Sequence, residues 1–444
     1  MIKSSVTKKE IWTIAIPIMF GNLAQTLISL TDTAFLGRVS AVALGASMMA
    51  GIYYYVFSTL AWGFAIGVQI IVARRLGEGR FERIGVIFEH GLVFVFGLSC
   101  CLFLLQHYFT ADILGGIIQS PNIYKAAMEY MDYRHYGIIF VCFNYLFRAL
   151  YIGLSNTKII SYTTAVMALV NIFLDYVLIF GNFGFPQMGV GGAAIASVCA
   201  EISALVFFVA YTIVKLPLKK YTLFYFHKLE GWLMKAILEL AFPTMLQKLF
   251  SFGTWFIFFA YTERMGEQSI AVSGIIRSVY MLIMIPVFAF AATTNTLTSR
   301  LIGEQRINQV MPTAFRIVGQ GMIAIIPVLM CCILFPSVVL SVYTNDMVLA
   351  GAAVPALMVV CVAAVAMVVG MPLFEAVSGT GNTINALILE SLVLAAYTFS
   401  VWFFADYLKW SVEWAWTSDV TYGVVLGLLS YLYLRMAKWQ YKKI

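Results

Sequence analysis

Charged residues are scarce in this chain. Asp, Glu, Lys and Arg make up only 11% of its 444 residues, while 62% of the residues are hydrophobic. Soluble domains usually contain about 25% charged and roughly 45–50% apolar residues. The composition therefore excludes a soluble globular fold and predicts an all-α integral membrane protein.

The motifs of most enzymes, metal sites and ATP-driven pumps are missing as well. The sequence has no HExxH metal motif, no nucleophile elbow and no phosphate-binding loop. Its four histidines are scattered, and its seven cysteines all fall in apolar segments. We therefore expect neither enzymatic activity nor a cofactor, and we expect an ion gradient or a substrate gradient to drive any transport.

Long apolar segments dominate what remains. A membrane-spanning helix needs about 20 mostly apolar residues. Twelve segments of that kind predict twelve transmembrane helices, near residues 11–36, 47–73, 86–108, 126–152, 159–181, 189–214, 234–262, 272–298, 312–336, 349–377, 383–405 and 415–437.

The basic residues predict the orientation of these helices. They concentrate before the first segment and after the second, sixth and twelfth, and the loops on the other side carry few of them. The positive-inside rule then places both termini in the cytoplasm of a multi-pass protein of the cytoplasmic membrane. Because the basic residues are scattered over short loops, we expect no nucleic-acid partner.

The two halves of the chain resemble each other. Pro17 and Pro243 are 226 residues apart, as are Gly77 and Gly303, and the stretches "RRLGEGR" and "SRLIGEQR" correspond. Six helices separate the copies, so both enter the membrane in the same direction, as in the parallel repeats of some transporters. The repeat predicts two pseudo-symmetric six-helix lobes and a linker between them, with boundaries at 1–214, 215–233 and 234–444.

Two acidic residues lie inside predicted helices of the first lobe. Asp32 and Asp175 come late in helices that run in the same direction, so they reach similar depth, and Asn171 shares a helix face with Asp175. Carboxylate and amide oxygens at one place suit a proton or a Na⁺ ion. The alternative is that each acid only hydrogen-bonds a neighbouring helix, although acids inside membranes are usually functional.

Three stretches resemble the multidrug and toxic compound extrusion family. They are "PIMFGNLAQTLISLTDTAFLGR" at 17–38, "ARRLGEGR" at 73–80 and "NIFLDYVLIFGNFGFPQMGVGGAAIAS" at 171–197, and the similarity extends over essentially the whole chain. The resemblance implies an antiporter that exports organic compounds in exchange for H⁺ or Na⁺. It also implies alternation between outward-open and inward-open arrangements of the two lobes.

The resemblance assigns roles to five residues. Asp32 matches the acid of the first helix that is regarded as the principal cation-coupling residue of prokaryotic members, and Asn171 and Asp175 match its partners. These three residues are also the expected ligands if the ion is Na⁺. Ser197 stands where the family commonly has a threonine that supplies an oxygen. Pro17 matches the proline that permits bending of the first helix, and a passive kink is the alternative.

The chain departs from the family pattern in the seventh helix. Ser251 stands where many members have a glutamate, so the pattern is closest to the branch named after the DNA-damage-inducible protein F. Lys248 lies about 20 Å into the predicted helix at 1.5 Å per residue, and its repeat partner is Asn22. It can form a structural ion pair, with Glu375 or Glu390 as partner, or contact an anionic or zwitterionic substrate.

The substrate is expected to be a small amphipathic molecule. Flat aromatic rings and methionines suit a cavity that accepts such compounds, although aromatic residues also populate lipid faces. The candidate cavity residues are Asn22, Gln25, Tyr54, Lys248, Trp255 and Met281. We expect the protein to act as a monomer in the lipid bilayer.

A second function remains open at this point. A flippase for lipids or lipid-linked oligosaccharides belongs to a related class, in which about fourteen helices and a more cationic cavity are usual. Arg148, Lys248 and Arg277 are compatible with such a cavity. The count of twelve helices favours the antiporter.

Overall fold

The computed structural model describes residues 5–344 and 346–441, and these residues are almost entirely helical. The α-helices are α1 Lys8–Val39, α2 Ala41–Glu78, α3 Glu82–Ile117, α4 Pro121–Arg134, α5 Gly137–Gly153, α6 Lys158–Phe180, α7 Gly189–Lys215, α8 Leu218–Tyr221, α9 Gly231–Arg264, α10 Glu267–Gly303, α11 Val310–Leu334, α12 Pro336–Ser341, α13 Met347–Gly379, α14 Thr383–Trp402 and α15 Val412–Met436. A π-helical turn, Phe403–Tyr407, follows α14.

Among the described residues, eleven of these helices are long enough to cross a membrane, and the pair α4 and α5 is long enough if it is counted as one element. Within the described part of the chain, nine helices are long and apolar enough, and α4 and α5 make a tenth span if they are counted as one bent element. The other two long helices, α9 and α15, have 34 and 25 residues, and a span needs about 20. The all-α membrane fold expected from hydropathy is confirmed.

One predicted span is broken. The segment 126–152 was expected to be one continuous helix, whereas α4 and α5 meet at an angle of 57°. At the break, the amide of Tyr136 donates a hydrogen bond to the carbonyl of Tyr133, and the amide of Ile138 donates one to the carbonyl of His135. These i→i+3 bonds tighten the turn and end the regular α-helical ladder. A break of this kind leaves no mark in the average hydropathy.

The described residues form two compact units. The C-terminal unit comprises the described residues of Met1–Met19, Ala73–Gly79 and Phe242–Ile444, and the N-terminal unit comprises Phe20–Val72 and Arg80–Ala241. The chain passes from one unit to the other within α1. The lobe boundaries predicted from the repeat stay a prediction.

The first turns of α1 pack within the C-terminal unit. The indole Nε1 of Trp12 donates a hydrogen bond to Oε1 of Gln320 over 2.9 Å, and the Trp12 ring meets the edge of Phe290 at 5.2 Å. Glu10 forms an ion pair with Arg300. These contacts attach the start of α1 to α10 and α11.

Two glycines allow a close approach of α2 and α10 in the same unit. A Cβ atom on Gly77 would meet the carbonyl oxygen of Arg300, and a Cβ atom on Gly303 would meet that of Arg74. The two contacts are related by the 226-residue repeat offset. Only residues without a side chain fit both positions at this separation.

We expect Gly77→Ala and Gly303→Ala to destabilise the protein by about 1–3 kcal/mol, because the added methyl group must push two helix backbones apart. Thermal unfolding of the purified protein in detergent measures the effect. Gly274→Ala on the same helix is the matched control, since nothing lies within 4 Å of its added Cβ. Equal unfolding temperatures for Gly303→Ala and Gly274→Ala would contradict the prediction.

Candidate cation site in the N-terminal unit

The two acids of the first predicted lobe meet in the N-terminal unit. The carboxyl groups of Asp32 on α1 and Asp175 on α6 are close enough to interact with each other. Asn171 precedes Asp175 by one helical turn and is fully buried, as is Asp175. Asp32 is half-buried. The two acids are 143 residues apart in sequence. They come together because α1 packs against α6.

Most polar side-chain atoms of these three residues have no hydrogen-bond partner in the described part of the chain. Oδ1 of Asp32, both carboxylate oxygens of Asp175, and Oδ1 and Nδ2 of Asn171 are buried and accept or donate no hydrogen bond among the described residues. Buried polar groups are normally satisfied, so each exception needs an explanation. Two facing carboxylates have no donor between them unless one binds a proton, and their oxygens suit a hard cation equally well.

The other two residues of the predicted site are Ser197 and Pro17. Ser197 on α7 is half-buried and makes no hydrogen bond to these three residues in the described structure. Pro17 is buried in the part of α1 that belongs to the C-terminal unit, and α1 continues through it as one helix. The structure thus brings Asp32, Asn171 and Asp175 together, and the roles predicted for Ser197 and Pro17 stay predictions.

A buried ion pair that sequence reasoning missed lies close by. Nη2 and Nη1 of Arg134 at the end of α4 bond to Oε1 and Oε2 of Glu201 on α7, at 2.6 and 2.9 Å. The two side chains are only 11% and 3% exposed. The Arg134 guanidinium is also close enough to Asp32 to interact with it electrostatically.

Two neighbours shape this ion pair. The guanidinium of Arg134 lies 3.7 Å from the ring centroid of Tyr54, a cation–π contact. A Cβ on Gly137 would collide with Nη1 of Arg134 and Oε2 of Glu201, so the glycine after the α4–α5 break makes room for them. A single acid inside the apolar run "ASVCAEISA" was the available sequence signal for Glu201.

The candidate cavity residues of the N-terminal unit have different surroundings. Oδ1 of Asn22 accepts a hydrogen bond from Nη2 of Arg148 at 2.7 Å, whereas Gln25 is exposed. Tyr54 is buried, and its hydroxyl donates to Oε2 of Glu201 at 3.4 Å. Tyr54 therefore belongs to the ion-pair cluster in this conformation.

Lys248 lies in a polar cluster of the C-terminal unit. It interacts electrostatically with Glu375 on α13, which also accepts a hydrogen bond from Nδ2 of Asn295 at 2.9 Å. Glu375 is the acidic neighbour that the ion-pair interpretation of Lys248 requires.

Glu390 on α14 is the second acid of this cluster. Its Oε1 accepts hydrogen bonds from Oγ of Ser251 at 2.8 Å and from the hydroxyl of Tyr422 at 2.7 Å. An acid from another helix thus contacts Ser251, the position at which the resemblance implies that many family members carry a glutamate.

The remaining two cavity candidates differ in exposure. Trp255 on α9 is partly buried, and its ring lies 5.8 Å from that of Phe259 and 6.2 Å from that of Tyr280. Met281 on α10 is 38% exposed. Trp255 packs against the core of its unit, whereas Met281 is accessible.

Comparison with known proteins decides the family. A model of the MatE family matches this chain twice, over residues 17–177 and 243–408. The chain belongs to the multidrug and toxic compound extrusion (MATE) family. The two matched ranges begin at Pro17 and Pro243, in agreement with the internal repeat. A MATE protein of this helical content is a multi-pass membrane protein.

Individual MATE relatives match over different lengths. A probable multidrug resistance protein NorM of Thermotoga maritima is 24% identical, covering 98% of this chain and 94% of that protein. One of Agrobacterium fabrum is 29% identical, covering 66% of this chain and 63% of that protein, less than two thirds of its length. The structure of a MOP superfamily transporter from Pyrococcus furiosus is similar with a TM-score of 0.88, at 22% identity and over 97% of this chain and 95% of that one. This last similarity shows the fold.

Proposed function

We propose that this MATE protein is a cation-coupled antiporter that exports small amphipathic organic compounds across the cytoplasmic membrane. Membership of the family and relatives named as probable multidrug resistance proteins support export of organic compounds. The coupling ion is H⁺ or Na⁺, and the proposed cycle is alternating access.

One observation carries the proposal of cation coupling. Asp32 and Asp175 face each other in the interior of the N-terminal unit, and Oδ1 of Asp32, both oxygens of Asp175 and the Asn171 amide have no hydrogen-bond partner among the described residues. A bound proton or Na⁺ ion removes the repulsion between the two carboxylates and satisfies their oxygens. Loss of the ion restores the repulsion between the two carboxylates. We therefore expect α1 and α6 to pack differently when no cation is bound.

Export then requires that the ion and the organic compound weaken each other's binding. Thermodynamic linkage makes this effect reciprocal: if the ion lowers the affinity for the compound, the compound lowers the affinity for the ion by the same factor. A compound that favours the ion-free packing is therefore released when the ion binds. In the proposed cycle the ion binds from outside, repacks α1 around Asp32 and releases the compound outward. Pro17 eases that repacking, since it has no amide hydrogen for the helix ladder.

The flippase alternative has less support. It depends on cations that are available for an anionic lipid-linked substrate. Arg148 donates a hydrogen bond to Asn22, Lys248 interacts with Glu375, and the Arg277 guanidinium lies 5.5 Å from the ring centroid of Phe259. Each of the three cations thus has a partner within its own unit.

We expect proteoliposomes that contain this protein to move a fluorescent cationic dye when either a pH gradient or a Na⁺ gradient is imposed. Dye fluorescence followed under each gradient separately, with vesicles lacking protein as the control, identifies the ion. Movement under one gradient only names that ion as the coupling ion. Absence of dye movement under both gradients, with folded protein in the vesicles, would overturn the proposed antiport of organic cations.

A further inference from the structure

The segment between α7 and α9 exposes several large apolar side chains. In residues 216–232, Tyr225, Phe226, Leu229 and Trp232 are 56%, 83%, 60% and 62% exposed. Leu223 in the same segment is buried. The segment therefore packs against the N-terminal unit through part of its residues and leaves four large apolar side chains exposed.

Buried polar groups of α3 hold this segment in place. The carboxylate of Glu89 accepts hydrogen bonds from the backbone amides of Phe226 and His227, at 3.1 and 2.8 Å, and lies 2.8 Å from Nδ1 of His227. Nε2 of His90 accepts a hydrogen bond from the amide of Glu230 at 2.8 Å. Both α3 side chains are nearly inaccessible. The exposed rings are thus carried by an ordered backbone.

The backbone of the segment is strained. Thr222, Phe224 and Phe226 have φ angles of 49°, 64° and 51°, in the left-handed region that disfavours residues with a Cβ. Strained conformations persist only where the surroundings impose them, and they concentrate at functional places. Phe226, the most exposed ring of the segment, is one of the three strained residues.

Lysines lie near the exposed rings in the sequence, and one of them, Lys220, also lies 4.1 Å from the ring centroid of Phe81. Lys215, Lys219, Lys220 and Lys228 are all exposed, whereas Glu230 pairs with Arg83 at 3.4 Å. Aromatic rings mixed with lysines, next to the ends of membrane-spanning helices, are typical of the membrane–water interface. Lysines at that depth attract anionic lipid headgroups.

We propose that residues 216–232 form a membrane-surface anchor that binds anionic phospholipids. Tyr225, Phe226, Leu229 and Trp232 insert at the level of the headgroups, and Lys219, Lys220 and Lys228 contact lipid phosphates. The position supports this occupant, because α7 ends at Lys215 and Trp232 is the second residue of α9, so both ends of the segment adjoin spanning helices. The anchor does not depend on the proposed transport activity.

The insertion depth of Trp232 tests the anchor. The full chain is reconstituted into vesicles that contain lipids brominated along the acyl chain, and the quenching due to Trp232 is the difference between wild type and Trp232→Phe. We expect strong quenching by bromines near the headgroup and weak quenching by bromines near the bilayer centre. No difference between wild type and Trp232→Phe at any depth would overturn the proposal.

The lipid preference tests the role of the lysines. We expect brominated phosphatidylglycerol to quench Trp232 at lower mole fraction than brominated phosphatidylcholine. Replacing Lys219, Lys220 and Lys228 with glutamine should weaken that preference by about fivefold for each lysine removed. The matched control replaces Lys8, Lys9 and Lys438, which are exposed outside the segment, and should keep the preference. An equal loss in both triple variants, or no preference in wild type, would refute specific binding by the segment.

The variant Phe226→Asn separates anchoring from folding. Asparagine adopts the left-handed region more easily than phenylalanine, so a purely structural role predicts unchanged or higher stability and an unchanged Trp232 depth. If the ring anchors the segment, quenching of Trp232 should fall and trypsin should cut more readily after Lys228 in vesicles. Unchanged quenching and unchanged cleavage in this variant would overturn the insertion of Phe226.

Discussion

Asp32→Asn is expected to reduce ion-driven transport by this MATE protein strongly. Asparagine keeps the size of the side chain and removes the charge, so the facing carboxyl of Asp175 no longer needs a cation to relieve repulsion. Coupling free energies between sites typically correspond to about 5–150-fold in affinity, and we expect gradient-driven dye efflux to fall by a factor in that range. Efflux from proteoliposomes under the active gradient measures the loss.

Asp112→Asn is the matched control for this experiment. Asp112 is an exposed aspartate near the end of α3, and the same substitution there should leave efflux unchanged. Binding of the dye to purified Asp32→Asn protein shows whether the variant is folded. Efflux above half the wild-type rate in Asp32→Asn would reduce Asp32 to a structural residue.

The second large effect is expected from the buried ion pair. Glu201→Gln or Arg134→Met should each destabilise the protein by about 3–5 kcal/mol, because each leaves one charge buried without its partner. The free energy of unfolding in detergent measures the loss. The double variant Arg134→Met/Glu201→Met removes both charges and should recover most of the stability, since an apolar pair often replaces a buried ion pair without cost.

An exposed ion pair of the same chain is the control. Lys235 and Glu239 are 3.9 Å apart on α9 and are 78% and 66% exposed, so removing either charge should change stability by less than about 1 kcal/mol. If Glu201→Gln cost no more than Glu239→Gln, the Arg134–Glu201 pair would not be buried in the folded protein.

The geometry of the ion pair also bears on the cation site. Arg134 is close to Asp32. A direct salt bridge between them would supply a positive charge that compensates the carboxylate of Asp32. Both terminal nitrogens of Arg134 instead bond to Glu201, so the guanidinium is neutralised by that acid. In the proposed coupling, a mobile cation is therefore still needed to compensate the charge of Asp32 and Asp175.

The sequence by itself determined the class of protein and its family. Scarce charge and long apolar runs predict spanning helices, because transfer of a helix into lipid depends on its own residues and not on its neighbours. The stretches at 17–38 and 171–197 carried the resemblance that the family match confirmed. Asp32 and Asp175 were noticed because an acid in an apolar run is conspicuous without any structure.

Tertiary structure alone decided the partners of the charged groups. Arg134 is 67 residues from Glu201, and Ser251 is 139 residues from Glu390, so no local pattern links them. The bend between α4 and α5 likewise depends on how the turn at His135 packs, whereas hydropathy averages over it. A hydrophobic pattern specifies which residues enter the membrane, but hydrogen bonds and ion pairs form between side chains that only folding brings within about 3 Å.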